Sequence, residues 1–528
     1  MQNRQQAAIR SVKSTSALSV KGLVLMCSLL FVSLLVNAQS SILENRYTFE
    51  AKRTSLYDAL NIISQKTGYF FIYDSKILES DKRVKLEARG AKLEYILKDL
   101  LNNPKLGFRV FSKHILIFEK DENVAAAQRK EPVRQDSAAT ILVKGKVFDE
   151  VSRKPLQYVS VAIEGTSEGT ITNGEGYFIL KLPHSHEQCN VRISHIGYKP
   201  YTFPIMLARD QNVDLYLKPD IVSLQEIVIR RVDPVEIVTS AIKNRKKNYS
   251  STPYCLTTFY REGVLKNGSY LSYAEAIFKV YKPALDQFFG VEQVSEVKSR
   301  KIVNTEQSDT LFVKLKGGIS ACLSLDIAKS TPDFLELSEI ARYRYTLSDM
   351  VSYESHNAYA INFVQKADVD DPLFTGTMYI DADSLAILGA EFEINPAYIS
   401  KAADYLISKN SKKHIVKPER FTYNVTYRKV GDYYYINHAK CDVQLKVRKK
   451  GRLFSSTYSA FLEMATCNID TKNVSKFDKQ KTIRPHVVFL DLPYTYDPSF
   501  WGDFNYIIPE EKLNEALKRI NTKIEKVE

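Results

Sequence analysis

The sequence has few of the residues that stabilise disulfide-rich proteins. It contains 6 cysteines in 528 residues, and one of them lies within the first 38 residues. The remaining five are Cys189, Cys255, Cys322, Cys441 and Cys467. An odd number at wide spacing does not form a disulfide framework. A single bridge between Cys441 and Cys467 on neighbouring strands is compatible with the sequence, but we favour buried free thiols.

Motifs of nucleophilic, phosphate-binding and metal-dependent enzymes are also missing. No G-x-S-x-G segment places a serine on a sharp turn, and no glycine-rich loop is present to hold phosphates. His184–Glu187 has the H-x-x-E spacing of a zinc site, but it lacks a third ligand and falls in a predicted loop. The carboxylates of ADVDDP (367–372) lack the downstream glutamate of a calcium loop. We therefore predict no cofactor, no metal and no catalytic residue.

The first 38 residues have the pattern of a secretory signal. Four basic residues and no acid accompany the apolar core GLVLMCSLLFVSLL (22–35). The short side chains of VNA (36–38) predict cleavage between Ala38 and Gln39. An uncleaved anchor helix is the alternative, although the apolar run is short for a bilayer span.

The charge of the chain is moderately positive. The net charge is +13, and removal of the four basic signal residues leaves +9. Basic runs occur at KNRKK (243–247) and KVRKKGR (446–452), and the second is predicted to be a hairpin turn between strands. These short runs are typical of solvated loops, and an exported protein would not meet chromosomal DNA. We predict no nucleic-acid partner.

Residues 45–119 are predicted to form a small α+β module in the order β-α-β, β-α-β-β, with two helices on one face of a small sheet. The units SLYDALNIISQKTGYFFIYD and VKLEARGAKLEYILKDLL resemble the secretin and TonB short N-terminal domain. That resemblance implies a module that makes protein contacts on the periplasmic side of the outer membrane and performs no reaction. Residues 120–140 are polar and alanine-rich, which predicts a flexible linker.

Residues 141–219 are predicted to form a β-sandwich of about seven short strands. Within EGTITNGEGYF (168–178), Asn173-Gly174 is the signal for a type I′ hairpin turn, in which both residues have positive φ. The segments GKVFDEVSRKPLQYVSVAIEGTSEGTITNGEGYFIL and ISHIGY (193–198) resemble the carboxypeptidase regulatory-like domain, a transthyretin-like sandwich of Bacteroidetes envelope proteins.

This resemblance implies an architectural role for the sandwich and no peptidase activity. Asn173 stands where the family usually has Asp, and Asn suits the same turn. From the turn signal and the resemblance together, we predict structural turn roles for Gly145, Pro155, Gly165, Gly169, Asn173, Gly174, Gly176 and Gly197.

Residues 221–528 are predicted to form a large α+β domain with a curved antiparallel sheet. Its long segments rich in Tyr, Phe and Val are joined by short connections, which favour antiparallel neighbours. The segment GTMYIDADSLAILGAEFEI (376–394) resembles hairpins of the lipoprotein-carrier family, in which a curved sheet wraps apolar cargo. The predicted fold class is multidomain and mainly β: a small α+β module, a β-sandwich and this large domain.

Together these features predict an exported, non-enzymatic periplasmic protein associated with the outer membrane. It would contact outer-membrane or periplasmic proteins, in TonB-type uptake or outer-membrane assembly. One alternative is a carrier or chaperone that holds a lipid or another apolar ligand in a groove of the curved sheet. Another is a hydrolase of envelope polymers, which needs carboxylates clustered in a cleft. Glu262, Asp381 and Asp383 are the acids on the best-defined strands.

Overall fold

The computed structural model places two compact units along the chain, Met1–Pro132 and Val133–Glu528. It describes residues 42–119 and 140–511 together with 513 and 515, apart from gaps at 74–76, 79–81, 112, 210, 223–232, 286–289, 304–317, 355, 403–413 and 484–500. The predicted cleavage site at Ala38 and Gln39 lies outside the described residues, and so does the predicted linker except for Thr140.

The first unit has the predicted order of elements but two sheets instead of one. Its elements are β1 (Arg46–Ser55), α1 (Leu56–Thr67), β2 (Phe70–Ile72), β3 (Arg83–Lys92), α2 (Leu93–Leu101), β4 (Leu106–Phe111) and β5 (His114–Glu119). Strands β1 and β3 form one sheet, and β2, β5 and β4 form the other. Helix α1 is capped at its N-terminus by Ser55, whose hydroxyl accepts a hydrogen bond from the Asp58 amide, and at its C-terminus by Gly68 in the left-handed conformation.

The β-sandwich is confirmed, with seven strands in two sheets. Its strands are β6 (Thr140–Asp149), β7 (Ser160–Ile163), β8 (Gly169–Ile171), β9 (Tyr177–Pro183), β10 (Asn190–Ser194), β11 (Tyr201–Pro204) and β12 (Asn212–Leu217), with a short helix α3 (Ile205–Ala208). The sheet orders are β12-β6-β9 and β11-β10-β7-β8. Strand β6 alternates buried and half-buried residues, as one face of a sandwich strand requires.

The type I′ hairpin predicted at Asn173-Gly174 is wrong. Strands β8 and β9 belong to different sheets, so residues 172–176 connect the two layers of the sandwich. Neither Asn173 nor Gly174 has positive φ; Gly176 does, at 81°. The Asn173 side chain instead accepts hydrogen bonds from the backbone amides of Glu175 and Tyr177, both at 2.9 Å. Asn173 therefore holds the turn through its side chain.

Pro155 forms an isolated antiparallel bridge with Phe148, and the other predicted turn glycines divide into two groups. Gly165 and Gly197 have positive φ, 77° and 85°, and lie in turns as predicted. Gly145 and Gly169 lie in strands β6 and β8, where close packing explains the glycine. A Cβ on Gly145 would meet the Val213 carbonyl oxygen at 2.3 Å.

A single eleven-stranded antiparallel sheet dominates the second unit. Its strands are β13 (Ile221–Val222), β14 (Tyr254–Lys266), β15 (Ser269–Lys282), β16 (Gln293–Val303), β17 (Tyr343–Tyr353), β18 (His356–Gln365), β19 (Phe374–Asp381), β20 (Ile387–Ile394), β21 (His414–Val430), β22 (Tyr433–Lys449) and β23 (Ser456–Asp470). Their spatial order is β13-β17-β18-β19-β20-β21-β22-β23-β14-β15-β16. Bulges interrupt several pairs and bend the strands. The predicted fold class, multidomain and mainly β, is confirmed.

One face of this sheet is a packed apolar core. Helix α4 (Pro234–Lys243) packs on β17 and β19, and α6 (Gly318–Ser324) packs on β22 and β23. The short helix α5 (Arg245–Asn248) follows α4. Phe334 is fully buried there and stacks on Phe363 with ring centroids 4.2 Å apart. Among the described helices of the chain, none combines the length and the hydropathy of a membrane span.

The opposite face contacts the sandwich and residues 501–511, the C-terminal segment. Trp501 and Ile507 of this segment are buried against Phe259 and Ile277 of the sheet and Ile171 of the sandwich. The segment also contacts the turn at 172–176, because the Asn173 amide donates to the Ile508 carbonyl at 3.1 Å. The C-terminal segment therefore joins the sandwich to the sheet.

Candidate functional site

The face of the large sheet that meets the sandwich carries a row of polar side chains in register. Residues directly opposite each other on antiparallel strands project to the same face. In spatial order the row consists of Asn362, Thr377, Glu391, Asn424, Lys440, Glu463, Arg261, Glu275 and Arg300. The last five members alternate between positive and negative charge, so Glu463, Arg261 and Glu275 each have opposite charges on both sides.

The charged half of this polar row is buried and paired. Arg261 Nε lies 2.5 Å from Glu463 Oε2, and Arg300 Nε lies 2.5 Å from Glu275 Oε2. Arg261 also binds Glu510 of the C-terminal segment at 2.8 Å. Burial would raise the pKa of Glu463, but the Arg261 guanidinium and the His438 imidazole outweigh it and hold that pKa well below its usual range.

The sandwich contacts the polar row through Tyr158. Its ring stacks on His438 with centroids 4.5 Å apart, and its hydroxyl accepts a hydrogen bond from Lys440 Nζ at 2.7 Å. Burial raises the pKa of Tyr158 to about 12, so the phenol stays protonated at neutral pH. Arg428 Nη2 adds a bond to the Ser167 carbonyl at 2.7 Å. These contacts fix the sandwich on the sheet.

Beside Tyr158 a cavity of about 450 Å³ lies between sandwich loops and the sheet. Cavities of this size hold small molecules or short segments of another chain. Four tyrosines contribute to its walls, namely Tyr158, Tyr198, Tyr353 and Tyr379. Polar groups also line it, among them His195, Glu391, Asn424, Thr426 and Asn437. The walls thus combine aromatic surface with groups that accept and donate hydrogen bonds.

Two cavity-lining acceptors have no hydrogen-bond partner among the described residues. Asn437 is 2 % exposed, and its Oδ1 is unpaired. Thr426 Oγ1 is also unpaired. A buried acceptor left without a partner costs about 1–3 kcal/mol. A ligand with a hydrogen-bond donor would relieve that cost.

A chain of hydrogen bonds leads from the cavity into the charged half of the polar row. Asn424 Nδ2 lies 3.3 Å from Glu391 Oε1, and Asn424 Oδ1 lies 3.2 Å from His438 Nδ1. His438 Nε2 then lies 2.9 Å from Glu463 Oε1. The carboxylate of Glu391, which lines the cavity, is therefore connected to the buried Glu463.

This chain fits two proton arrangements with the same number of protons. In one, His438 is cationic and Glu391 is ionised. In the other, His438 is neutral, Glu391 is protonated, and a half-turn of the Asn424 amide exchanges its donor and acceptor. Burial lowers the pKa of His438, which favours the second arrangement, whereas the side chain of Glu391 is exposed. A cation at Glu391 would favour the first.

The acids named from the sequence do not meet at this site. Glu262 lies on the apolar face of β14 and accepts a bond from Tyr260 at 2.6 Å. Asp381 Oδ1 holds the β19–β20 turn by accepting from Ser384 N at 2.7 Å, and Asp383 is exposed in the same turn. Four strands separate β14 from β19 in the sheet order, a distance of roughly 24 Å at strand spacing.

The other sequence candidates have structural surroundings. His184–His186 forms a short helical turn with no buried residue, as the predicted loop required. In 367–372, Asp370 and Asp371 form ion pairs with Lys401 and Arg342. Within the described residues, no group of three or more His, Cys, Asp or Glu side chains could hold a metal ion.

The cysteines of the second unit are free thiols. Cys441 belongs to the apolar core, whereas Cys467 packs with Trp501 on the opposite face of the sheet. A bridge between them is therefore excluded by the direction of their side chains.

Sequence reasoning did not select Arg261, His438 or Glu463. Each lies within a strand segment otherwise rich in apolar and aromatic residues, TTFYREG, YYYINHAKCDV and SAFLEMAT. Charged residues inside such strands are rarely buried unless they are paired. Several charged residues in the strands of one predicted sheet therefore indicate a buried network of ion pairs. The register that aligns them was not available from one sequence.

These features define a mainly β protein in which a sandwich and a large sheet enclose a polar cavity. Residues 143–229 match the family model of the CarboxypepD_reg-like domain, which agrees with the sandwich predicted at 141–219. Comparison with curated proteins gives no match. A DUF1329 family protein from Desulfovibrio piger, known from a crystal structure, aligns with 46% of this chain and 96% of its own at 12% identity and a TM-score of 0.21. At that TM-score the alignment carries no structural inference.

Proposed function

We propose that the chain is an exported, non-enzymatic protein of the periplasm and outer membrane that acts by non-covalent binding of a partner protein. The cavity between sandwich and sheet holds a short segment of that partner. Resemblance to the secretin and TonB short N-terminal domain supports a second protein contact through residues 45–119. The matched CarboxypepD_reg-like domain supports a positioning role for the sandwich.

The unpaired Oδ1 of Asn437 in the cavity is the observation that carries this proposal. Asn437 is 2 % exposed, and its Oδ1 has no partner among the described residues, so a donor that reaches this atom would remove the cost of leaving it unpaired. Glu391 adds a carboxyl group that a cationic or amide donor would bind. Tyrosines in the walls supply rigid contact surface, as in protein interfaces. The cavity therefore suits a partner segment that carries hydrogen-bond donors.

The cavity chemistry favours binding over hydrolysis. Its two lining carboxylates are Asp149 and Glu391. Asp149 already accepts bonds from Tyr198 at 2.8 Å and from the Ser152 amide at 2.5 Å, which leaves one carboxyl group for chemistry. Hydrolysis of glycosides needs two. The apolar face, where a carrier would hold its cargo, is filled by Phe334 and its neighbours.

A photocrosslinker at the cavity mouth tests the proposal. Gln157 is exposed and lines the cavity, so benzoylphenylalanine at this position should form an adduct of protein mass in the native envelope. The same group at Tyr177, which is 42% exposed elsewhere on the sandwich, should not. No adduct at Gln157, or equal adducts at both positions, contradicts the proposal.

The variant Asn437→Leu separates binding from folding. Replacing a buried unpaired acceptor by an apolar group is neutral or stabilising, so the protein should keep its stability. The Gln157 adduct should nevertheless fall at least fivefold, because the partner loses its acceptor. An unchanged adduct yield in Asn437→Leu contradicts the role of the cavity.

A further inference from the structure

The turn between β22 and β23 exposes two adjacent large apolar side chains. Leu453 and Phe454 are 88% and 90% exposed, the highest values among the exposed large apolar residues of the described chain. Single exposed apolar residues are ordinary, but an adjacent pair at a projecting turn indicates a contact surface. Residues 448–455 are called the hairpin tip below.

The hairpin tip is strongly basic. Four exposed cations surround the apolar pair, namely Arg448, Lys449, Lys450 and Arg452. The sequence has no acid between Asp442 and Glu463. Lys446, just before the tip, is paired with Glu419 at 2.5 Å, whereas none of the four tip cations has a carboxylate within ion-pair distance among the described residues. The tip therefore presents uncompensated positive charge beside apolar surface.

The base of the hairpin is fixed on the sheet. Strand β22 pairs with β21 as far as Lys449, and β23 begins at Ser456 opposite Val447. Leu445 and Val447 are buried in the core directly below the tip. Gly451 has φ of 81° and makes the turn possible. The tip is thus a projection held at its base by core packing.

We propose that the hairpin tip docks on the surface of an anionic phospholipid membrane. Leu453 and Phe454 enter the interface between headgroups and acyl chains, and the four cations lie at the level of the lipid phosphates. Each cation near an anionic surface strengthens binding roughly fivefold, and burial of each apolar side chain contributes roughly tenfold. The apolar pair flanked by cations matches the bilayer, in which an apolar layer lies beneath charged headgroups. Binding to an acidic protein surface would need the cations but not the exposed apolar pair.

This inference relies on the proposed envelope location only for the membrane that is met in the cell. Binding to vesicles is a property of the purified protein, so its failure would leave the cavity proposal intact. The cavity variant Asn437→Leu should bind vesicles as the wild type does.

Vesicle co-sedimentation tests the tip with the full-length protein. We expect binding to vesicles of phosphatidylcholine with 30% phosphatidylglycerol and at least tenfold weaker binding to phosphatidylcholine alone. Leu453→Ser with Phe454→Ser should weaken binding at least tenfold. The quadruple variant Arg448→Gln, Lys449→Gln, Lys450→Gln, Arg452→Gln should weaken it by roughly 600-fold, at fivefold for each cation, and abolish the preference for anionic lipid.

Matched controls use exposed residues of the same kinds elsewhere. Val151→Ser removes a side chain that is 78% exposed on the sandwich. Lys243→Gln, Lys246→Gln and Lys247→Gln together remove the exposed lysines of the other basic run, KNRKK (243–247). Both controls should bind within twofold of the wild type. Three results would overturn the proposal. The first is an equal loss of vesicle binding in the controls and the tip variants, and the second is no binding to anionic vesicles. The third is binding to polyglutamate without binding to vesicles.

Discussion

At the scale of single residues, burial of charge is the main feature of the second unit. Glu463 and Glu275 are 0% exposed, and each lies against an arginine at 2.5 Å. Removing a partner from such a pair leaves an uncompensated charge, whereas the paired state is nearly neutral in energy. These two pairs within the sheet therefore add little to overall stability while both partners are present.

His438 makes the stability of this unit depend on pH. Burial lowers the pKa of His438 in the folded protein below the value of about 6.5 for an unfolded chain. The unfolded state then binds more protons, so the free energy of unfolding falls as the pH falls below about 6.5, by up to about 1.4 kcal/mol per pH unit. The contribution is fully present above pH 6.5 and is lost as the pH falls through the folded-state pKa.

Chemical unfolding followed by the single tryptophan, Trp501, measures this effect. Between pH 7.5 and 5.5 the wild type should lose stability, and His438→Gln should lose less because it lacks the titrating imidazole at position 438, while buried His195 remains in both proteins. The exposed His184→Gln, with a side chain 41% accessible, is the control and should match the wild type. An equal pH slope in His438→Gln and the wild type would show that His438 is not the responsible group.

At the scale of elements, strand patterns predicted the sandwich and the long antiparallel strands well. Alternation in β6 and the apolar character of β14 and β23 follow directly from which faces are buried. The conformation of the connection at Asn173 could not be predicted. The reason is that local turn chemistry does not reveal that β8 and β9 belong to different layers of the sandwich. The cavity was also hidden, since its lining residues come from distant parts of the chain.

The C-terminal segment is the element whose removal should loosen the sandwich. Ile507 is fully buried between sandwich and sheet. Truncating a buried isoleucine to alanine removes contacts and leaves a cavity, so Ile507→Ala should cost about 2–5 kcal/mol and shift the Trp501 emission to longer wavelength. The neighbouring half-buried Ile508→Ala should cost about 1 kcal/mol or less. Similar losses in both variants would mean that the segment is not packed as described.

At the scale of the whole molecule, the chain has separate cores in its two units. One core comprises residues between Ile42 and Ile117, and the large core of the second unit begins at Ile237. The sequence predicted this separation from the composition of residues 120–140. The sandwich and the large sheet, by contrast, were predicted as separate domains but share a buried interface that includes Ile171 and Phe259. A single sequence does not show such an interface, because its residues are far apart in the chain.

Limited proteolysis measures whether the second unit is stable without the first. Trypsin should cut first after Arg129, Lys130 or Arg134, three basic residues in the middle of the predicted linker. Because the fragment that begins after the cut keeps its own core, its Trp501 emission and its unfolding midpoint should equal those of the intact chain. The triple variant Arg129→Gln, Lys130→Gln, Arg134→Gln should resist this cleavage. It serves as the control that shows whether trypsin also cuts at other positions. A lower midpoint for the fragment would mean that the first unit stabilises the second, and the two could then not be treated as independent modules.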